Sequence, residues 1–136
     1  NPGAESSPEP SPKVAPPAPG DIIAEFEFWK GIRSRSAREA MVITQAIIEE
    51  FELPAHTVGF GVKGCITWSK DPVRNYRDYK ATNFALAELS WLWSLNRGII
   101  TPPGLDEQWL ISLAHTQNEI DVLVEDFRAL AIALRN

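Results

Sequence analysis

The sequence predicts an α+β domain in which an antiparallel sheet is covered on one face by helices. Three long segments carry apolar residues at spacings of three and four, which is typical of amphipathic helices. Shorter segments between them are rich in β-branched residues and bounded by Gly or Pro, which is typical of strands. The predicted order is helix, strand, helix, short strand, strand, helix, without an internal repeat.

Composition and charge restrict the classes of protein to consider. The 136 residues are 44% hydrophobic and include five Trp and six Phe, which suffices for one packed domain. The net charge of -5 disfavours nucleic-acid and anionic-membrane partners, since both attract basic surfaces. With one cysteine, Cys65, and two histidines, the chain predicts neither an internal disulfide nor a metal site. It has no apolar run of roughly 20 residues and no basic-then-apolar leader, so we expect no membrane segment and a cytoplasmic location.

The start of the chain differs in composition from the rest. Residues 1–20 contain seven of the eleven prolines and almost no large apolar side chains. This predicts a disordered or polyproline-like leader ahead of a domain at 21–136. A proline-rich ligand for a partner's aromatic groove is the alternative interpretation of the leader.

The first predicted helix spans about Ser34 to Phe51, where apolar residues form one stripe, and Leu53-Pro54 ends it. The segment before it, Asp21 to Lys30, has both the alternation of a strand and the length of two helical turns, so its pattern does not decide between them. Four basic residues near the helix start indicate a solvated face rather than a phosphate site. They are Lys30, Arg33, Arg35 and Arg38.

A glycine-rich segment from Val58 to Ser69 predicts strands. It contains the string from Gly59 to Gly64, which matches the spacing of a dinucleotide-binding loop. Such a loop requires its glycines to open a helix, whereas the strand-like run Cys65 to Trp68 follows here. We therefore interpret the glycines as part of a bulged or closely packed strand pair.

The second predicted helix runs from about Tyr79 to Leu95, after a break at Asp71-Pro72. It carries Phe84, Ala87, Leu92 and Leu95, with Trp91 beside them. Gly98 is predicted to adopt the left-handed conformation that commonly follows a helix end.

The last part of the chain predicts one more strand and one more helix. Ile99-Ile100 is a short extended piece, Thr101 to Gly104 is a turn, and Trp109 to Ala114 is a strand. Thr116 and Glu119 have capping-box spacing, so both side chains can bond backbone groups at a helix start. The expected buried stripe of the last helix is Ile120, Leu123, Phe127, Leu130, Ala131 and Leu134.

Residues that could carry chemistry are few. His56 and His115 are the only histidine bases available to a nucleophile. Cys65 lies in an apolar strand-like run, which indicates a buried, inert thiol. Asp106-Glu107 is an acidic pair in a turn, which indicates solvated carboxylates rather than an acid–base couple. The residues by themselves therefore predict an α+β domain without an assigned activity.

A run near the C-terminal end adds a functional expectation. Asn96 to Gly104, then Glu107 to Thr116 and Glu119-Ile120, resemble the C-terminal signature of glutamate-1-semialdehyde aminomutases and related class III aminotransferases. In that signature an Arg-Gly pair ends a helix, and a Ser-x-Ala-His-Thr strand end precedes the last helix. Upstream runs at Gly59 to Trp68 and Asp71 to Tyr79 are similar to the same family, so the resemblance covers about residues 37–134.

The resemblance implies the small domain of a fold type I pyridoxal-phosphate enzyme. In that family the large domain supplies the Schiff-base lysine and most of the phosphate cradle. The five lysines of this chain are Lys13, Lys30, Lys63, Lys70 and Lys80, and none occupies the family's lysine motif. We therefore assign no catalytic and no cofactor-binding residue, and we expect no stable cofactor binding by this chain alone.

Five residues receive a role from the pattern or the resemblance. Glu107 matches an acidic residue that points towards the active site in the family, which makes it a candidate for the substrate pocket alongside the solvated-turn alternative. His115 is expected to fix the corner between the last strand and the last helix. Thr116, Glu119 and Gly98 are expected to be structural. Before Glu107 the family usually has Ser-Gln-Phe where this chain has Gly-Leu-Asp, so the resemblance does not define the substrate.

Two functional hypotheses follow, with a third of much lower weight. The chain is part of an aminotransferase and acts only with a large cofactor-binding domain or subunit. Alternatively, it is a stand-alone interaction module that keeps the small-domain fold and binds a protein partner, with a homodimer among the options. The third hypothesis is a new catalytic site around Cys65, His56 and Asp106.

Overall fold

The computed structural model describes residues 22–102, 108–112 and 114–135, with the backbone but not the side chains of residues 22 and 25–35. The predicted leader at 1–20 lies outside these residues. The elements in chain order are α1 (Ile22–Glu50), β1 (His56–Phe60), β2 (Lys63–Thr67), α2 (Tyr76–Lys80), α3 (Phe84–Asn96), β3 (Trp109–Leu110) and α4 (Gln117–Arg135). No helix among the described residues is long and apolar enough to cross a membrane.

The three strands form one antiparallel sheet in the order β1-β2-β3. Because side chains alternate along a strand, Thr57 and Gly59 share the inner face with Gly64 and Trp109. This inner face packs against α1, where Gln45 bonds Thr57 and Met41 lies over Gly59. The predicted α+β fold, with an antiparallel sheet and helices on one face, is confirmed.

The glycine-rich segment forms the hairpin of β1 and β2, as expected for a closely packed strand pair. Gly61 occupies the first position of the two-residue loop with φ 61°, a position that favours glycine in type II′ hairpin turns. Gly64 leaves room for the Trp109 indole, which lies where a Cβ would stand. The glycines therefore serve the turn and the packing of the sheet.

The core consists of two groups of buried side chains that meet at the sheet. One group lies between the end of α1, α3 and the second half of α4, and the other lies between the middle of α1, β3 and the start of α4. Ile66 contacts both groups. Their members are Ile47, Ile48, Ala55, Trp68, Ala87, Phe127, Leu130 and Ala131 in the first, and Ala37, Ala40, Trp109, Ile111 and Ile120 in the second.

The predicted bounds of the helices and strands need correction in three places. The undecided segment at 21–30 is helical from Ile22, so α1 is longer than predicted. The helix predicted from Tyr79 to Leu95 is interrupted, because the Asn83 side chain accepts a hydrogen bond from the Leu86 amide and starts α3 anew. Among the described residues of the strand predicted from Trp109 to Ala114, the paired part is Trp109–Leu110, and the Ile111 amide adds one bond to the Val62 carbonyl.

Candidate functional site

A cleft of about 560 Å³ lies between the segment 98–102, strand β3 and the first turns of α4. Its lining is mainly apolar, with Ile100, Leu110 and Val122 exposed along it. The described residues that line it are Gly98, Ile99, Ile100, Thr101, Pro102, Gln108, Trp109, Leu110, Ile111, His115, Asn118, Glu119, Ile120, Val122 and Leu123. The residues of the family-like C-terminal run therefore surround one concavity.

The segment 98–102 forms one wall of the cleft and is fastened to α3. Gly98 has φ 87°, a left-handed conformation that turns the chain back after the helix end. The Ile99 amide donates to the Ser94 carbonyl at 2.9 Å. The Trp91 indole N–H donates to the Thr101 carbonyl at 3.3 Å. These bonds hold the wall along the side of α3.

A buried carboxylate joins α3 to α4 at the base of this wall. Asp126 is 4% exposed, and its Oδ1 accepts from the Trp93 indole N–H at 3.1 Å and from Arg97 Nε at 2.6 Å. Its Oδ2 accepts from the Ser94 hydroxyl at 2.6 Å. A buried carboxylate is stable only with such partners, because desolvation would otherwise favour its neutral form. The cluster therefore fixes the end of α3, from which the segment 98–102 departs.

His115 stands at the corner between β3 and α4. The Ser112 amide donates to His115 Nδ1 at 2.9 Å, so Nδ1 is an acceptor in this contact. The Ser112 hydroxyl lies 2.9 Å from the same nitrogen and accepts from the Ala114 amide at 3.2 Å. Within the described residues, these contacts give His115 a role in the geometry of the corner.

Thr116 and Glu119 form reciprocal bonds at the start of α4. The Thr116 amide and hydroxyl both donate to Glu119 Oε2 at 2.6 Å, and Thr116 Oγ1 accepts from the Asn118 amide at 3.3 Å. The hydrogen bonds from Thr116 lower the pKa of the Glu119 carboxyl to about 2. The Glu119 carboxylate therefore stays ionised and keeps its hydrogen bonds to Thr116 at the start of α4, although Glu119 borders the cleft.

Glu107, the candidate for the substrate pocket, lies outside the described residues together with Asp106. The described residues on either side of that stretch, Pro102 and Gln108, both line the cleft. The described residues on both sides of the stretch that contains Glu107 therefore border the same cleft. Its role stays a prediction.

The other residues with possible chemistry lie away from the cleft. Cys65 is half-buried on β2 with its Sγ 4.0 Å from Thr67 Oγ1, and the His56 Nδ1–H donates to the Ser69 carbonyl at 2.7 Å. Both are on the sheet face opposite α1. Of the basic residues near the start of α1, the structure describes only the Arg38 side chain, which is exposed.

The described lining of the cleft is mainly apolar and contains no lysine. Lys63, Lys70 and Lys80 are exposed and none of them lines it, so among the described residues no amine is placed to hold pyridoxal phosphate there. The described residues also contain no cluster of three or more metal-binding side chains. The sequence analysis did not identify Asp126. Its position three residues after Leu123 places a carboxylate on the apolar stripe of α4, and this pattern could have indicated a buried, bonded acid.

No family model matches the chain. It is 33% identical over 89 residues to the glutamate-1-semialdehyde 2,1-aminomutase of Thermomicrobium roseum, a match that covers 65% of this chain and 21% of that enzyme. The chain therefore spans about a fifth of the length of this curated relative.

Solved structures show the same fold. A glutamate-1-semialdehyde aminomutase from Pseudomonas aeruginosa matches with a TM-score of 0.72 at 19% identity, over 82% of this chain and 24% of that one. A β-phenylalanine aminotransferase from Variovorax paradoxus matches with a TM-score of 0.72 at 17% identity, over 84% of this chain and 26% of that one. Sequence and fold together show that the chain resembles the C-terminal, small-domain part of a class III pyridoxal-phosphate-dependent aminotransferase of the glutamate-1-semialdehyde aminomutase type.

Proposed function

We propose that the chain is the C-terminal portion of a pyridoxal-phosphate-dependent aminotransferase or aminomutase. The whole enzyme would transfer an amino group on an amino acid or semialdehyde. The observation that carries the proposal is the joint match, in sequence over 65% of the chain and in fold over 82%, to enzymes of one type. Its acidic composition supports a cytoplasmic location as part of the same proposal.

In this proposal the chain contributes a wall of the substrate pocket and another domain contributes the cofactor. The cofactor would supply the electron sink for the amino transfer when bound. The residues of this chain would exclude water through the apolar cleft and place Glu107 beside it. The proposed partner is a large cofactor-binding domain or subunit, and the exposed apolar side chains Val58, Phe60 and Leu110 on the open sheet face support a need for such cover.

The first test is a titration of the purified chain with pyridoxal phosphate. We expect no stoichiometric red-shifted absorbance of an internal Schiff base, because none of the lysines matches the family's motif. A stoichiometric adduct that an amino donor discharges would contradict the proposal and make one of the five lysines catalytic.

The second test places the chain in an enzyme. Residues 37–134 of this chain would replace the matching segment of the Thermomicrobium roseum aminomutase, and cofactor content and amino transfer would be measured separately. We expect cofactor to bind through the large domain and amino transfer to occur with at least one donor–acceptor pair. A folded chimera that holds cofactor but transfers no amino group would contradict the proposal.

A second candidate function is a stand-alone interaction module that keeps the small-domain fold. The exposed apolar residues on the open sheet face and on α3 favour it. It predicts a stable complex of the isolated chain with a protein partner together with an inactive chimera, so the same two experiments separate it from the enzyme proposal.

A further inference from the structure

Helix α3 is apolar on two opposite faces. Its inner face carries the buried residues Ala87 and Ser90, and Trp93 and Ser94 bond Asp126 from the same side. At 100° per residue, its outer face consists of Ala85, Glu88, Leu89, Leu92, Leu95 and Asn96, and all six are exposed. A helix with apolar residues on opposite faces is typical of one that is covered on both.

The outer face presents a contiguous apolar stripe. Leu89, Leu92 and Leu95 are 44%, 48% and 38% exposed and follow one another at three-residue spacing. The bond from Trp91 to the Thr101 carbonyl keeps the following segment beside the helix, where Ile100 is 83% exposed. Contiguous exposed apolar surface of this kind marks interaction sites.

The stripe is self-complementary about its centre. The sequence from Leu89 to Leu95 reads the same in both directions, with Leu92 in the middle. In an antiparallel pair of α3 helices with a two-fold axis at Leu92, Leu92 meets its own copy and Leu89 meets Leu95. Glu88 then lies opposite Asn96, whose amide can donate to the carboxylate, so no like charges are opposed.

We propose that the outer face of α3 is the contact between two copies of this chain, arranged antiparallel with the two-fold axis at Leu92. The face favours a second copy over a partner of opposite charge because Glu88 is its only charged residue. The contact is independent of the amino-transfer function and uses no residue of the cleft except Ile100.

The length of α3 limits the area of the contact. A helix of 13 residues is about 20 Å long, so one helix pair covers less than the roughly 800 Å² per partner of a standard stable interface. We therefore expect a concentration-dependent dimer with a dissociation constant of about 10 μM or weaker.

Sedimentation velocity of the full 136-residue chain over a range of concentrations tests the association. We expect a shift from monomer to dimer, and in Leu92→Lys at least a tenfold weaker association, because two ammonium groups would meet at the axis. Leu92 is half exposed, so this change leaves the core intact, which far-ultraviolet circular dichroism checks. Val42→Lys, on an exposed position of α1, is the matched control and should dimerise like the parent.

Cysteine cross-linking tests the arrangement. In a Cys65→Ser background, Leu92→Cys should form an intermolecular disulfide under mild oxidation, because positions at the axis come within the about 4.4–6.8 Å between Cα atoms that disulfides require. Leu89→Cys alone should cross-link poorly but should cross-link with Leu95→Cys when the two are mixed. A chain that stays monomeric at all concentrations, a dimer that Leu92→Lys leaves intact, or preferential cross-linking of Leu89→Cys to itself would each overturn the proposal.

Discussion

Asp126 is a structural residue that the sequence did not predict, because its buried carboxylate accepts from Trp93 and Ser94 of α3 and from Arg97 just after that helix. The Asp126→Asn change removes the negative charge that accepts the 2.6 Å hydrogen bonds from Ser94 and Arg97, and it keeps the shape of the side chain. Charge-assisted hydrogen bonds contribute about 1.5–3 kcal/mol each, and we expect a loss of unfolding free energy of about that size in urea denaturation. Glu125→Gln, at the exposed neighbour, is the control, and equal stability of the two variants would contradict the assignment.

Glu119 gives the molecule an acid-sensitive helix start. Its pKa in the folded chain is about 2, below the ordinary value of 4.5, so its stabilising contribution is fully present above pH 4.5. That contribution is lost as the pH falls towards 2. Glu119→Gln should therefore be less stable than the parent at neutral pH and should approach it at low pH, as measured by thermal unfolding between pH 2 and 7. A constant difference over this range would argue against the carboxylate as its origin.

At the scale of elements, the packing of the inner sheet face requires that position 64 carries no side chain. A Cβ at Gly64 would overlap the Trp109 indole, which is 8% exposed. Overpacking of this kind costs about 1–3 kcal/mol, so Gly64→Ala should be destabilised by that amount in urea denaturation. In a Trp109→Ala background the same change should cost much less, because the clash is gone. Additive effects of the two changes would show that another contact is responsible.

The edge of the sheet is protected by a helix side chain. Gln45 Oε1 accepts from the Thr57 amide at 2.9 Å and from its hydroxyl at 3.1 Å, so an outward-facing amide of β1 is bonded within the molecule. Gln45→Ala should lower stability by about 1 kcal/mol and speed hydrogen exchange of the Thr57 amide. Glu49→Ala removes the other hydrogen-bond partner of Gln45 without touching β1, and it should leave that amide protected.

For the whole molecule, the shared core predicts one cooperative unfolding transition. Ile66 contacts both groups of buried residues, and α4 supplies members to each, so neither group can open while the other stays packed. Tryptophan fluorescence and far-ultraviolet circular dichroism should therefore report the same midpoint in urea. Separate midpoints would indicate two independent units.

The fold class and the buried stripe of α4 could be predicted from the sequence because both depend on local spacing of apolar residues. The break at Asn83 could not, because a cap on one side-chain oxygen overrides an apolar pattern that continues through it. The exposure of Leu92 and Leu95 could not be predicted either, because a helix that is apolar on two faces gives no period from which to choose its inner face. The cleft depends on how the segment 98–102 and α4 meet, which no local pattern contains.

The contact between Gly64 and Trp109 also constrains the order in which the sequence can change. A larger residue at position 64 is destabilising while the indole occupies its place, whereas a smaller residue at position 109 leaves a cavity that a new side chain at position 64 could fill. Evolutionary paths that alter both positions therefore pass through the loss of the tryptophan first.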